Sequence, residues 1–78
     1  MRKPLTGVQR LGRWVDVRYE LASVVSVRRA GTQQAIYSTV HTDRIERIRE
    51  KADELRLVTR LERDGLVWDL TVSAPLGR

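Results

Sequence analysis

The chain reads as a small α+β domain: an antiparallel sheet in the order β-β-β-α-β-β, with one amphipathic helix packed on it. An alternating apolar stretch in the first third, an apolar stripe at helical spacing in the middle and a turn dipeptide between two β-type runs near the end point to it. At 78 residues there is room for one domain and one core.

Residues 1–11, with Pro4, Gly7 and no apolar period, read as a flexible basic arm. The domain then covers residues 12–73, and 74–78 form a tail. From Trp14 to Leu21 the pattern alternates, with Val15, Val17, Tyr19 and Leu21 on one side and Trp14, Asp16, Arg18 and Glu20 on the other. That predicts a half-buried strand. Ala22–Arg29 is a second valine-rich β-type run. With no strong turn signal between Glu20 and Ser23, residues 14–29 form either one long bent strand or two. Ala30-Gly31-Thr32-Gln33 is a turn, and Gln34–Val40 returns as a strand with Ile36 and Tyr37 on opposite faces.

The helix is the plainest element. Thr42 or Asp43 can cap it, and Asp43 and Glu46 stand at capping-box spacing. Ile45, Ile48, Ala52 and Leu55 form a narrow stripe on an otherwise charged helix that ends near Arg56. A hairpin follows. Taking Asp64-Gly65 as its two-residue loop pairs Leu61 with Trp68, Thr59 with Leu70 and Leu57 with Val72, and sets Arg60 opposite Asp69.

Composition narrows the function. There is no cysteine, which excludes disulfides and thiolate-bound zinc, and the one histidine, His41, leaves no usual set for a structural metal. No apolar run approaches the ~20 residues of a membrane-spanning helix, so a soluble, cytoplasmic protein is expected. A domain this short is marginal without staples, which leaves self-association as compensation. A homodimer through sheet edges or an uncovered apolar face is therefore expected.

No catalytic constellation emerges, and neither enzyme activity nor a cofactor is expected. His41 has no nucleophile and no orienting carboxylate, since Asp43 is better used at the helix start. Glu46, Glu50, Asp53 and Glu54 alternate with cations on one helix, as on a solvated face. Gly7 and Gly12 lack the strand-to-helix context of a phosphate loop, and Asp16, Asp64 and Asp69 lack calcium-loop spacing.

Charge is the informative feature. Residues 1–29 hold seven basic and two acidic side chains, whereas residues 42–78 hold eight of each, so the whole net charge of +5 sits in the first third. Arginine outnumbers lysine thirteen to two; a GC-rich bacterial or bacteriophage genome produces that bias, and arginine is also the better phosphate fork. Trp14 lies beside Arg13 and shares a face with Arg18, where it can stack on a base or hold an arginine. Trp68 belongs to the core. The expected nucleic-acid-binding set is Arg10, Arg13, Trp14, Arg18, Arg28 and Arg29, with Arg2 and Lys3 as further arm contacts to DNA or RNA. The alternative is a protein-interaction module, a small inhibitor or adaptor docking on an acidic partner, because the chain carries no known nucleic-acid motif.

Overall fold

A computed structural model describes residues 4–19 and 25–75. The chain runs α1 (Gly7–Tyr19), β1 (Ser26–Ala30), β2 (Gln34–Thr39), α2 (Thr42–Glu54), β3 (Val58–Asp64) and β4 (Val67–Ser73). The class is α+β with one antiparallel sheet. The element order differs from the expected one, with two helices and four strands among the described residues in place of one helix and five strands.

The difference lies in the first third, where Trp14–Leu21 reads as a strand and residues 1–11 as an arm. The chain instead forms α1 from Gly7 onward. Val8, Leu11 and Val15, spaced by three and four, are buried, while Val17, which alternation would bury beside Val15, is 88% exposed. The helical period therefore wins over the two-residue period. A reciprocal capping box starts the helix: the Thr6 N–H donates to Gln9 Oε1 at 3.0 Å and the Gln9 N–H donates to Thr6 Oγ1 at 3.1 Å. The Thr6 hydroxyl also donates to the Thr32 carbonyl at 2.7 Å, which fastens the helix start to the β1–β2 turn. A Cβ on Gly7 would lie 2.9 Å from Leu57 Cδ2, so glycine lets α1 press against Leu57. Arg2 and Lys3 of the expected arm, residues 20–24 of the expected strands and residues 76–78 of the tail lie outside the described residues.

The strand order is β1-β2-β4-β3, with every neighbouring pair antiparallel. Two successive helix–strand–strand units are thus joined along β2 and β4. Helix α2 carries the chain from β2 past β4 to β3, a split β-α-β connection. Both helices lie on one face and run antiparallel, with Gly7 beside Leu57 and with Arg18 and Tyr19 beside Asp43 and Arg44. Val8, Leu11 and Val15 from α1 and Ile45, Ile48 and Ala52 from α2 pack with Ala35, Tyr37, Leu70 and Val72 from the inner strands. Leu55 and Trp68 are partly buried against this core.

Register and caps add corrections. In the second hairpin Asp64 pairs with Val67, Leu61 with Leu70 and Thr59 with Val72, two residues away from the expected alignment. The loop is Gly65-Leu66, and Gly65, at φ 64°, is its first residue, as in a type II′ turn. An even shift keeps every side chain on its expected face but parts Arg60 from Asp69: Arg60 faces Thr71, and Glu62 faces Asp69. At the start of α2 the cap position belongs to His41, with no side-chain cap bond; Thr39 Oγ1 accepts the His41 N–H at 3.1 Å instead. Asp43 sits in the first turn, ion-paired with Arg44. In β1, a bulge between Val27 and Arg29 leaves Arg28 unmatched.

Helix α2 ends in a Schellman motif. The Leu57 N–H donates to the Ala52 carbonyl and the Arg56 N–H to the Asp53 carbonyl, both at 3.0 Å. Arg56 fills the left-handed position at φ 60°. A side chain there costs about 1–2 kcal/mol relative to glycine, part of which the greater flexibility of an unfolded glycine offsets. Arg56→Gly should therefore stabilise the protein by about 0.5–1 kcal/mol in urea unfolding. A lower unfolding midpoint would show that the Arg56 side chain contributes more than its backbone costs.

Candidate functional site

Of the six residues expected to meet nucleic acid, Arg10, Arg13, Trp14 and Arg18 stand on α1, and Arg28 and Arg29 stand on β1. Arg29 faces Ile36, and Arg28 reaches Asp69, which places both on the side of the sheet away from the helices. The six do not form one surface.

On α1, Arg10, Arg13 and Val17 follow one another at three and four residues and share the solvent face, all exposed. Trp14 and Arg18 form the border towards α2. The indole is half-buried against the core and meets Tyr19 edge-on, with ring centroids 6.1 Å apart. The Arg18 guanidinium lies 5.4 Å from the indole centroid and that of Arg47, from α2, 5.8 Å. Of the two uses foreseen for Trp14, stacking on a base or holding an arginine, the second is built: the ring gathers two cations where the helices meet. Sequence spacing does not reveal Arg47, because its contact with Trp14 arises only from the packing of two helices, and the alternation of α1 suggests a strand.

The two helices differ in charge. Helix α1 carries Arg10, Arg13 and Arg18 against Asp16, a balance of +2, whereas α2 carries four basic and five acidic residues, a balance of −1. On α2, Arg44 pairs with Asp43, Arg47 with Glu50 at 3.1 Å and Lys51 with Glu54 at 3.3 Å. Such exposed pairs contribute little stability, but they cancel charge locally. Among the described residues Arg10, Arg13 and Arg18 form no ion pair.

The uncovered sheet face is mostly polar, and several of its charges are matched on it. Asp69 accepts hydrogen bonds from the Ser38 hydroxyl and from Arg28, the latter at 3.5 Å. Glu62, across from Asp69, pairs with Arg60 at 3.3 Å. Arg29 donates to Gln34 Oε1 at 3.0 Å. A shallow cavity of about 290 Å³ lies among Arg28, Arg29, Ile36, Glu62, Asp69 and Thr71. Arg28 thus offsets Asp69, a partner that its place beside Arg29 in the sequence does not reveal.

A second cleft, about 360 Å³, lies between α1 and the β1–β2 turn, bounded by Val8, Gly12, Asp16, Ala30, Ala35 and Tyr37. Burial pushes the Tyr37 phenol up to about 12, and the negative charge of Asp16 adds to the effect. Among the described residues no His, Cys, Asp or Glu side chains cluster as a metal-binding group, and no helix is long and apolar enough to cross a membrane. No family model, curated protein or solved structure matches the chain.

The Tyr37 environment has a pH consequence. The folded pKa lies above the ordinary 10.0. Below pH about 10 the phenol is neutral in both states and its contribution to stability is complete. Between there and the folded value of about 12 the unfolded chain loses the proton first, so stability falls as pH rises. In a Tyr19→Phe protein, phenolate absorbance reports Tyr37 alone and should rise together with loss of the circular-dichroism signal of the fold. Asp16→Asn should lower the midpoint. Phenolate formation near pH 10 with the fold intact would show Tyr37 to be solvated.

Proposed function

We propose that this is a small non-enzymatic, cytoplasmic protein that binds nucleic acid through the solvent face of α1, with Arg10, Arg13 and Arg18 contacting phosphates. The observation that carries the reading is the cationic face of α1, where Arg10, Arg13 and Arg18 form no ion pair among the described residues, beside an α2 whose cations are largely matched by its own acids. Charge left unneutralised on a helix surface draws a polyanion and releases its counterions. The rise of an α-helix puts Arg10 and Arg18 about 12 Å apart along the axis, so the row can follow a backbone over successive phosphates. Trp14 positions Arg18 and Arg47 at one end of this row. Arg28 and Arg29 belong to the opposite face and are not part of the interface.

Val17 favours a second reading. An apolar side chain 88% exposed between Arg13 and Arg18 suits an acidic protein partner better than a phosphate backbone. One set of variants separates the two. Anisotropy titrations with duplex and single-stranded oligonucleotides should show affinity falling with salt, with a log–log slope of roughly 0.7–0.9 per phosphate contacted. Arg10→Ala, Arg13→Ala and Arg18→Ala should each weaken binding to all sequences alike and lower that slope by about 1. Arg29→Ala and Val17→Asn should leave it unchanged. Binding lost in Val17→Asn and insensitive to nuclease in a lysate pull-down would replace nucleic acid with the acidic protein.

A further inference from the structure

We infer that β3 is a self-complementary edge through which two copies of this chain pair, antiparallel, about a two-fold axis at Leu61. The sheet ends on one side at β1 and on the other at β3, and an edge strand turns half of its backbone N–H and C=O groups outward. The two edges are not alike. Strand β1 has five residues, is bulged at Arg28 and carries two adjacent arginines, features that blunt an edge and repel a copy of itself. Strand β3 has seven residues in an unbroken register with β4 and carries charges of both signs.

Those charges select the alignment. Residues facing each other across an antiparallel ladder must lie on the same side of the sheet. On the uncovered side β3 presents Val58, Arg60, Glu62 and Asp64; on the helix side it presents Thr59, Leu61 and Arg63. A two-fold axis at Arg60 would set that arginine against itself, and one at Glu62 would do the same with the carboxylate. An axis at Leu61 sets Arg60 of each copy against Glu62 of the other, twice, and Leu61 against Leu61. Within one chain Arg60 and Glu62 already pair at 3.3 Å, with both side chains largely exposed, so two copies form a square of alternating charge with no like charges facing directly. The interface is isologous, as a closed dimer requires. It extends the sheet to eight strands and carries all four helices on one face. A strand-edge contact buries little beyond the ladder, so the dimer is weak and concentration-dependent.

The test is sedimentation equilibrium on the full chain, from about 1 μM to about 1 mM. The wild type should pass from monomer to dimer across that range. R60E and E62R should each weaken dimerisation at least tenfold by making all four facing charges alike. The double variant R60E/E62R should restore it, and R28E should leave it as it is. Circular dichroism checks that each variant stays folded, and all the substitutions are at exposed or partly exposed positions. A wild type that stays monomeric throughout, a double variant no better than the singles, or dimerisation lost in R28E would each overturn the inference. None of these outcomes bears on the α1 phosphate reading, because α1 lies away from β3.

Discussion

A sheet face carrying Ala35, Tyr37, Leu70 and Val72 has to be kept from water, and a chain without cysteine has only its helices for the purpose. Each helix offers a stripe of three buried residues, Val8-Leu11-Val15 and Ile45-Ile48-Ala52, and neither is wide enough to cover four strands. Laid side by side and antiparallel, the two stripes close over the inner strands and leave β1 exposed along its length. Most other features follow from that arrangement. The outer surfaces of the helices are released for charge, the far side of the sheet has to be polar, and α1 must be held firmly enough to keep its half of the cover in place. The Thr6 bond to Thr32 and the close approach of Gly7 to Leu57 hold it at its N-terminal end.

The sequence was most legible where one signal stood alone. The stripe of α2 has no competing period, and Ile45, Ile48 and Ala52 are buried as it predicts, with Leu55 partly buried beyond them. Helix α1 shows the opposite case. Val15, Val17 and Tyr19 alternate over a short span, and Pro4 and Gly7 give Thr6-Gly7-Val8-Gln9, a capping box, the look of an arm. Over the longer span from Val8, Leu11 and Val15 recur at three-and-four spacing, at odds with the alternation. The hairpin is intermediate: the faces were right, whereas the register turned on whether Gly65 is the first or second loop residue, and Asp-Gly is compatible with both.

The candidate site was less legible than the fold for a related reason. Charge counted along a chain says nothing about which side of a sheet it falls on. Arg10, Arg13, Trp14 and Arg18 do lie on one element, whereas Arg28 and Arg29 lie on the far side, where Asp69, forty-odd residues away, draws Arg28. Whether a cation is available or already matched depends on such long-range partners. The same is true of Arg47, which reaches Trp14 only because the helices pack as they do.

The order α1-β1-β2 followed by α2-β3-β4, with a sheet reading β1-β2-β4-β3, places the same helix–strand–strand unit twice in succession. In topology, a half-turn about an axis between β2 and β4 exchanges β1 with β3, β2 with β4 and α1 with α2. Both helices have thirteen residues, and their buried positions recur at an offset of thirty-seven, Val8 to Ile45, Leu11 to Ile48 and Val15 to Ala52. Seen this way, the single chain has the architecture of two fused protomers, and the interior is where the halves remain equivalent. The outside is where they differ: among the described residues one helix has unmatched cations and the other mostly matched ones, and one edge is bulged while the other is regular. Likeness in the core and difference at the surface leave each half with its own helix face and its own sheet edge.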